Sequence, residues 1–153
     1  MAAQSPVKVG DLAPDFSLPS SKGDLVSLAN FRGREVVLYF YPKDNTAGCT
    51  AEACAFRDSY EDFQEAGAEV IGISSDSETT HGQFARRLNL PFLLLSDRDG
   101  AVRARYGVPK TLGLLPGRVT YLIDRDGVVR AIFSSQFQPK KHLTELLDQL
   151  ARL

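Results

Sequence analysis

The segment Glu35 to Tyr41, EVVLYFY, constrains this chain more than any other stretch. After Glu35 it is an unbroken run of β-branched, aliphatic and aromatic residues, as expected of a central strand buried on both faces. Pro42 ends it. From Gly48 to Ala66 the apolar positions Ala51, Cys54, Ala55, Tyr60 and Phe63 follow a helical spacing that stops at Gly67. Glu69 to Ser74, EVIGIS, reads as the next strand. Strand, helix and strand within about forty residues make a βαβ unit, with parallel strands and a right-handed crossover.

The remaining elements assemble around this unit. Pro6 to Pro19 is rich in turn formers and predicts short extended pieces, an N-terminal extension ahead of the core. Leu25 to Leu28 is a short extended segment, and Ala29 to Gly33 a single helical turn closed by glycine. Ser77 to Leu88 predicts a helix capped by Ser77, Pro91 to Leu95 a strand, and Asp99 to Tyr106 a short helix ended by Gly107. VTYLID (119–124) and VVRAIF (128–133) flank Arg125-Asp126-Gly127, a hairpin signal. The last helix, Pro139 to Leu150, puts Leu143, Leu146, Leu147 and Leu150 on one face. Phe40, Phe56 and Phe92 are expected in the core. No repeat, low-complexity tract or linker divides residues 1–153, so one domain is expected. The order β-α-β then β-β-α is that of a thioredoxin-like α/β fold, a central mixed β-sheet flanked by helices. Such an order fixes no function by itself.

Charge narrows the functions. Eighteen basic and 19 acidic side chains leave a formal net charge of −1, no excess with which to neutralise nucleic-acid phosphates. No apolar run is long enough to cross a bilayer, and Met1 to Val9 lacks the apolar stretch of a secretory signal. A cytoplasmic protein with no nucleic-acid or membrane partner is the expectation. Two cysteines, Cys49 and Cys54, stand five positions apart. A disulfide-stapled scaffold carries more bridges than these can form. A zinc site needs about four ligands, and His81 and His142 offer none at ligand spacing. Redox chemistry is the better reading of the pair.

Cys49 falls in the first turn of the helix that follows the EVVLYFY strand. Thiolate, not thiol, is the nucleophile, and an ordinary thiol with a pKa of about 8.5 supplies little of it. Unpaired backbone N–H groups at a helix start favour an anion there. Thr46, three residues earlier, has a hydroxyl within reach of the thiolate, although a helix cap is an equally ordinary job for it. Cys54, on the same helix, would have its Cα roughly 8–9 Å from that of Cys49 and its side chain about 140° around the axis. A disulfide needs Cα atoms within about 7 Å, so bridging the two requires the first turn to unwind.

The segment Tyr39 to Thr50, YFYPKDNTAGCT, contains P-x-x-x-T-x-x-C and resembles the active-site signature of the peroxiredoxins. Ala51 to Arg57, AEACAFR, adds the second cysteine, which is similar to the Q-type or bacterioferritin-comigratory subfamily. The resemblance continues through VGDLAPDFSLP, EVIGISSD, LPFLLLSD, YGVPK and LPGRVTYLIDRDGVV. It implies a peroxidatic Cys49 that becomes a sulfenic acid and a resolving Cys54 that condenses with it to a disulfide. It also implies that Thr46 and Arg118 contact thiolate and peroxide, and that Pro42 shields the pocket. Arg118 suits that role physically, as a permanent cation with donors for a polarised peroxide. Glu52 matches a frequent acidic position whose role stays open. A thioredoxin-like dithiol partner, no cofactor, no metal and a monomeric state are further implications, and some relatives are plastid proteins, which makes the plastid the alternative compartment. Ala47 departs from the proline usual before Gly48, which should leave the loop freer.

Blander readings stand beside these. Cys54 could be plain core. Arg118, after Pro116-Gly117, would pass for a surface arginine without the resemblance. His81 and His142 are expected to face solvent, and Arg86-Arg87 and Lys140-Lys141 to be solvated helix faces. A thiol–disulfide oxidoreductase on the same fold would carry C-x-x-C rather than C-x4-C, and a non-catalytic redox sensor or binding module would need a partner surface that no long apolar stretch advertises. The G-G-L-G segment and C-terminal Tyr-Phe linked to over-oxidation sensitivity in other peroxiredoxins are absent. Resistance to peroxide inactivation is therefore expected, and mass spectrometry that finds Cys49 sulfinic acid accumulating rapidly at low peroxide would refute it.

Overall fold

The computed structural model describes residues 6–108, 110–111, 115–116, 118–134 and 139–153. In chain order, β1 (Ser17–Pro19) and β2 (Leu25–Ser27) form a small antiparallel ladder, followed by a 3-10 turn at Leu28–Phe31. Next come β3 (Glu35–Phe40), α1 (Ala47–Asp58), α2 (Tyr60–Glu65), β4 (Ala68–Ser74), α3 (Glu78–Leu88), β5 (Leu93–Ser96) and α4 (Ala101–Tyr106). The chain continues through β6 (Lys110–Thr111), β7 (Leu115–Pro116), β8 (Val119–Ile123), β9 (Val129–Phe133) and α5 (Pro139–Ala151).

The main sheet has the order β5-β4-β3-β8-β9, with β3 at its centre. β3 pairs in parallel with β4, and β4 with β5, whereas β8 runs antiparallel to both β3 and β9. This is the mixed, helix-flanked sheet of the thioredoxin-like order. Every residue of β3 is buried, and the two-residue alternation of a strand splits its side chains between two cores. Val36, Leu38 and Phe40 join Phe16, Val102 and Tyr106 on one face. Val37, Tyr39 and Tyr41 join Phe56, Phe63, Phe84, Phe92, Leu143, Leu146 and Leu150 on the other, and Cys49 belongs to that second core. The N-terminal extension is laced to the edge of β9 by Gly10 N–H to Val129 C=O and Ala13 N–H to Gly127 C=O, each 2.8 Å.

Three expectations change. The helix expected over Gly48 to Ala66 is broken at Ser59, whose ψ of 6° interrupts it into α1 and α2. Its apolar spacing survives the break because Phe56 and Phe63 lie seven residues, about two turns, apart. The β6–β7 ladder was not anticipated. His81, expected at the surface, is fully buried; the side chains of His142, Lys140 and Lys141 lie outside those described. Elsewhere Ser77 caps α3 by accepting from Thr80 N–H at 3.2 Å, and the Arg125-Asp126-Gly127 turn joins β8 to β9, with Gly127 at φ +83°.

β4 approaches the aromatic layer so closely that Gly72 leaves no room for a side chain. A Cβ there would lie 2.8 Å from Tyr39 Cζ and 2.9 Å from Leu94 Cδ2. Tyr39 cannot retreat, because its ring stacks on Phe56 at 4.6 Å between centroids and on Tyr41 at 5.3 Å. Gly72→Ala is expected to destabilise the protein by about 1–3 kcal/mol, the usual cost of overpacking a filled core. Urea denaturation will check this, and an unchanged midpoint would show that the layer can shift.

Candidate active site

β3 delivers the chain to a loop, Pro42 to Thr46, that leads into α1. Pro42 is half-buried at the end of the strand, and Thr46 is the N-cap residue, accepting Thr50 N–H on its carbonyl at 2.9 Å. The Thr46 hydroxyl does not cap the helix. It donates to the Lys43 carbonyl at 2.8 Å, so its proton is engaged inside the loop and its oxygen is left as an acceptor. Cys49 is the third residue of α1, where backbone N–H groups have no earlier turn to donate to, and it is 1% exposed.

The sheet brings the cation. Antiparallel pairing sets Val119 of β8 against Phe40 at the end of β3, and so carries Arg118 to the mouth of the loop. Arg118 Nη2 lies 3.4 Å from Cys49 Sγ. Gly48 permits this approach, since a Cβ there would stand 3.0 Å from the same Nη2. One turn after Cys49, buried Glu52 accepts from Arg118 Nη1 at 2.6 Å. Residues three apart share a helix face, so the thiol and the carboxylate address one guanidinium from adjacent positions. Arg118 Nε is buried with no hydrogen-bond partner among the described residues.

The electrostatics follow from this triangle. Burial works against the Arg118 charge, but the negative charge of Glu52 and then of Cys49 outweighs it and holds the guanidinium above the usual arginine range. Burial pushes the Glu52 carboxyl up to about 7, against the pull of Arg118. A permanent cation 3.4 Å from sulfur stabilises negative charge there. A guanidinium carries N–H groups of the kind that stabilise an oxygen developing charge beside the sulfur.

Of the residues singled out in the sequence, Cys49 and Arg118 are in direct contact, and Thr46 and Pro42 form the loop beside them. Cys54 is apart. It is half-buried on the same continuous helix, and both thiols are free. Helix geometry keeps the two Cα atoms roughly 8–9 Å apart. Glu52 acquires a definite place as the partner of Arg118. The sequence signal for it was its position three residues after Cys49, but nothing in sequence tied it to Arg118. A second buried group that sequence reasoning missed, His81 with Asp44 and Tyr41, lies behind the loop.

Residues 9–132 match the AhpC/TSA family. Peroxiredoxin Q of Oryza sativa subsp. japonica, a chloroplastic protein, is 55% identical over 148 residues, covering 96% of this chain and 68% of that one. The chloroplastic peroxiredoxin Q of Arabidopsis thaliana is 56% identical over 145 residues, covering 94% and 67%. Among solved structures, peroxidoxin BcpB of Mycobacterium tuberculosis superposes with a TM-score of 0.88 at 38% identity, over 96% of this chain and 98% of its own. The bacterioferritin comigratory protein of Xanthomonas campestris, described for its alkyl peroxide reduction, gives 0.85 at 30% identity, over 95% and 96%.

The raised Glu52 pKa has a consequence for stability. Between pH 4.5, its ordinary value, and about 7, the folded protein keeps a proton on Glu52 that the unfolded chain has released. Stability from this group is therefore complete at low pH and is lost as pH rises through that window, by up to ~1.4 kcal/mol per pH unit. Glu52→Gln retains an acceptor for Arg118 but cannot titrate. The stability difference between parent and variant, from urea denaturation at several pH values, is expected to fall across the window; a constant difference would contradict the assignment.

Proposed function

This chain belongs to the AhpC/TSA family as a peroxiredoxin of the Q type, a thiol peroxidase, and on that premise we propose how its own residues divide the work. Cys49 thiolate attacks one oxygen of a hydroperoxide, the O–O bond breaks, and the sulfur becomes a sulfenic acid. The departing oxygen leaves as water or an alcohol after taking up a proton. Arg118 steadies the negative charge first on sulfur and then on the departing oxygen. Thr46 accepts from the peroxide O–H with the lone pairs its bond to Lys43 leaves free. Pro42 walls the pocket. The observation that carries this reading is the guanidinium of Arg118, held by Glu52, 3.4 Å from a sulfur at a helix start.

The second half of the cycle belongs to Cys54. Its thiol attacks the sulfenic sulfur, water leaves, and a Cys49–Cys54 disulfide closes. Within an intact α1 that bond cannot form, so the first turn opens before it closes. A thioredoxin-like dithiol then reduces the disulfide. Hydrogen peroxide and organic hydroperoxides are the substrate class, the latter supported by the Xanthomonas campestris protein. The chain acts as one monomeric domain over residues 1–153. Among the described residues no helix is long and apolar enough to cross a membrane. Of the two compartments the sequence leaves open, the plastid gains support from the chloroplastic plant relatives.

Stopped-flow oxidation of the reduced protein by hydrogen peroxide tests the cycle. The parent is expected to form an intramolecular disulfide, Cys54→Ser to stop at the sulfenic acid, and Cys49→Ser to be inert. Peroxide turnover by Cys49→Ser would sink the assignment. Amide chemical shifts of residues 47–53 are expected to move from helical to coil values on oxidation, and identical shifts in the two states would rule out the opening of α1.

A further inference from the structure

Behind the loop that precedes Cys49 lies a buried polar cluster the peroxidase cycle does not use. His81 of α3 is 0% exposed, and Asp44, from the middle of the loop, is buried beside it. His81 Nδ1 lies 2.6 Å from Asp44 Oδ2, while Nε2 faces the Leu95 carbonyl oxygen of β5 at 3.0 Å. A carbonyl only accepts, so Nε2 is the donor to Leu95, and the other ring nitrogen is the one that bonds the Asp44 carboxyl. Asp44 Oδ1 accepts from Tyr41 O–H at 2.5 Å. The Asp44 backbone N–H donates to Asp76 Oδ2 at 2.8 Å, and Asp76 Oδ2 also accepts from Ser74 Oγ at 2.6 Å. Ligand atoms of Asp44, Asp76 and His81 lie within 4.8 Å of one another. The hydrogen bonds just named already engage both Asp44 oxygens, Asp76 Oδ2 and both ring nitrogens, so the cluster reads as a clamp rather than a cation site.

The clamp acts on a backbone that needs holding. Asn45, immediately after Asp44, sits at φ +64°, a conformation few non-glycine residues adopt. Its Oδ1 is gripped by Arg87 Nη2 at 2.9 Å. Thr46 follows in extended geometry as the N-cap of α1. Any movement of Asp44 is thus passed through one strained residue to Thr46 and the start of the helix that bears Cys49. A peroxide must meet the sulfur, the Thr46 oxygen and Arg118 together, and misplacement by about 1 Å at such a site can cost as much as 10²-fold in rate.

We propose that His81 is a positioning residue for the peroxidase reaction: through Asp44 it fixes the Pro42–Thr46 loop against Cys49 and Arg118. The inference rests on Cys49 being the attacking thiol. Its chemistry separates two variants that a purely structural role would treat alike. Asn places its amide nitrogen where Nδ1 lies and can still donate to Asp44. Gln reaches toward the Nε2 position and the Leu95 carbonyl, leaving Asp44 without its partner.

The experiment measures, for parent, His81→Asn, His81→Gln and Cys49→Ser, the second-order rate of Cys49 oxidation by hydrogen peroxide and, where the thiol is present, its rate of alkylation by iodoacetamide. His81→Gln is expected to lose at least about tenfold in the peroxide rate. Its alkylation should stay within about threefold of the parent, and His81→Asn within about threefold in both. Equal losses in the two His81 variants, no loss in either, or a parallel fall in alkylation would overturn the inference. Should His81→Gln not fold, Asp44→Ala, which takes away the side-chain partner of His81 and of Tyr41 altogether, must give the same split. Peroxide consumption by Cys49→Ser would instead remove the premise that Cys49 attacks.

Discussion

The reactive end of this molecule hangs on the antiparallel pairing of β3 with β8. β3 is the strand from which the loop and α1 depart, and β8 is the strand that Arg118 introduces. Their ladder sets Val119 opposite Phe40, so two segments distant in sequence arrive at the same edge in a fixed register. A slip of one residue would turn Arg118 to the other face of the sheet. The burial of every β3 residue guards against that slip, because each of its two cores would lose its side chains at once.

At that edge one guanidinium serves two acids. Glu52 holds Nη1 and thereby aims Nη2 at sulfur, but its negative charge also drains the field that the sulfur feels. Burial of Glu52 eases the conflict by weakening its hold on a proton-free state. The arrangement is one in which geometry and electrostatics pull in opposite directions, and the depth of the carboxyl sets the balance between them.

Much of the fold was legible in sequence because it rests on local pattern. The EVVLYFY run, the Ser77 cap, the Gly127 turn and the leucine face of α5 each carry their own signal. The break at Ser59 carried none: Phe56 and Phe63 keep helical phase across it, and serine tolerates either conformation. β6 and β7 are two residues each, too short for any alternation to register. Cys49, Cys54, Thr46, Arg118 and Pro42 were singled out through a family resemblance, and of these the fold sets Arg118 against Cys49 and leaves Cys54 apart, whereas Glu52 lacked a role because its partner is remote in sequence. His81 was misjudged although the clue was present. It lies three residues before Phe84 and seven before Leu88, on the buried face of α3, and a histidine on such a stripe is held by partners that only the tertiary structure supplies.

The placement of both cysteines on one continuous helix has a consequence for traffic between this protein and its reductant. In the proposed cycle the reduced form shows a closed helix and the oxidised form an opened segment bearing the disulfide. On that cycle, a dithiol protein that docked on the opened segment would have a grip on the oxidised form that vanishes once electrons have passed. Release would then require no separate signal: rewinding of α1 would erase the surface that was bound and free the reductant for the next oxidised molecule.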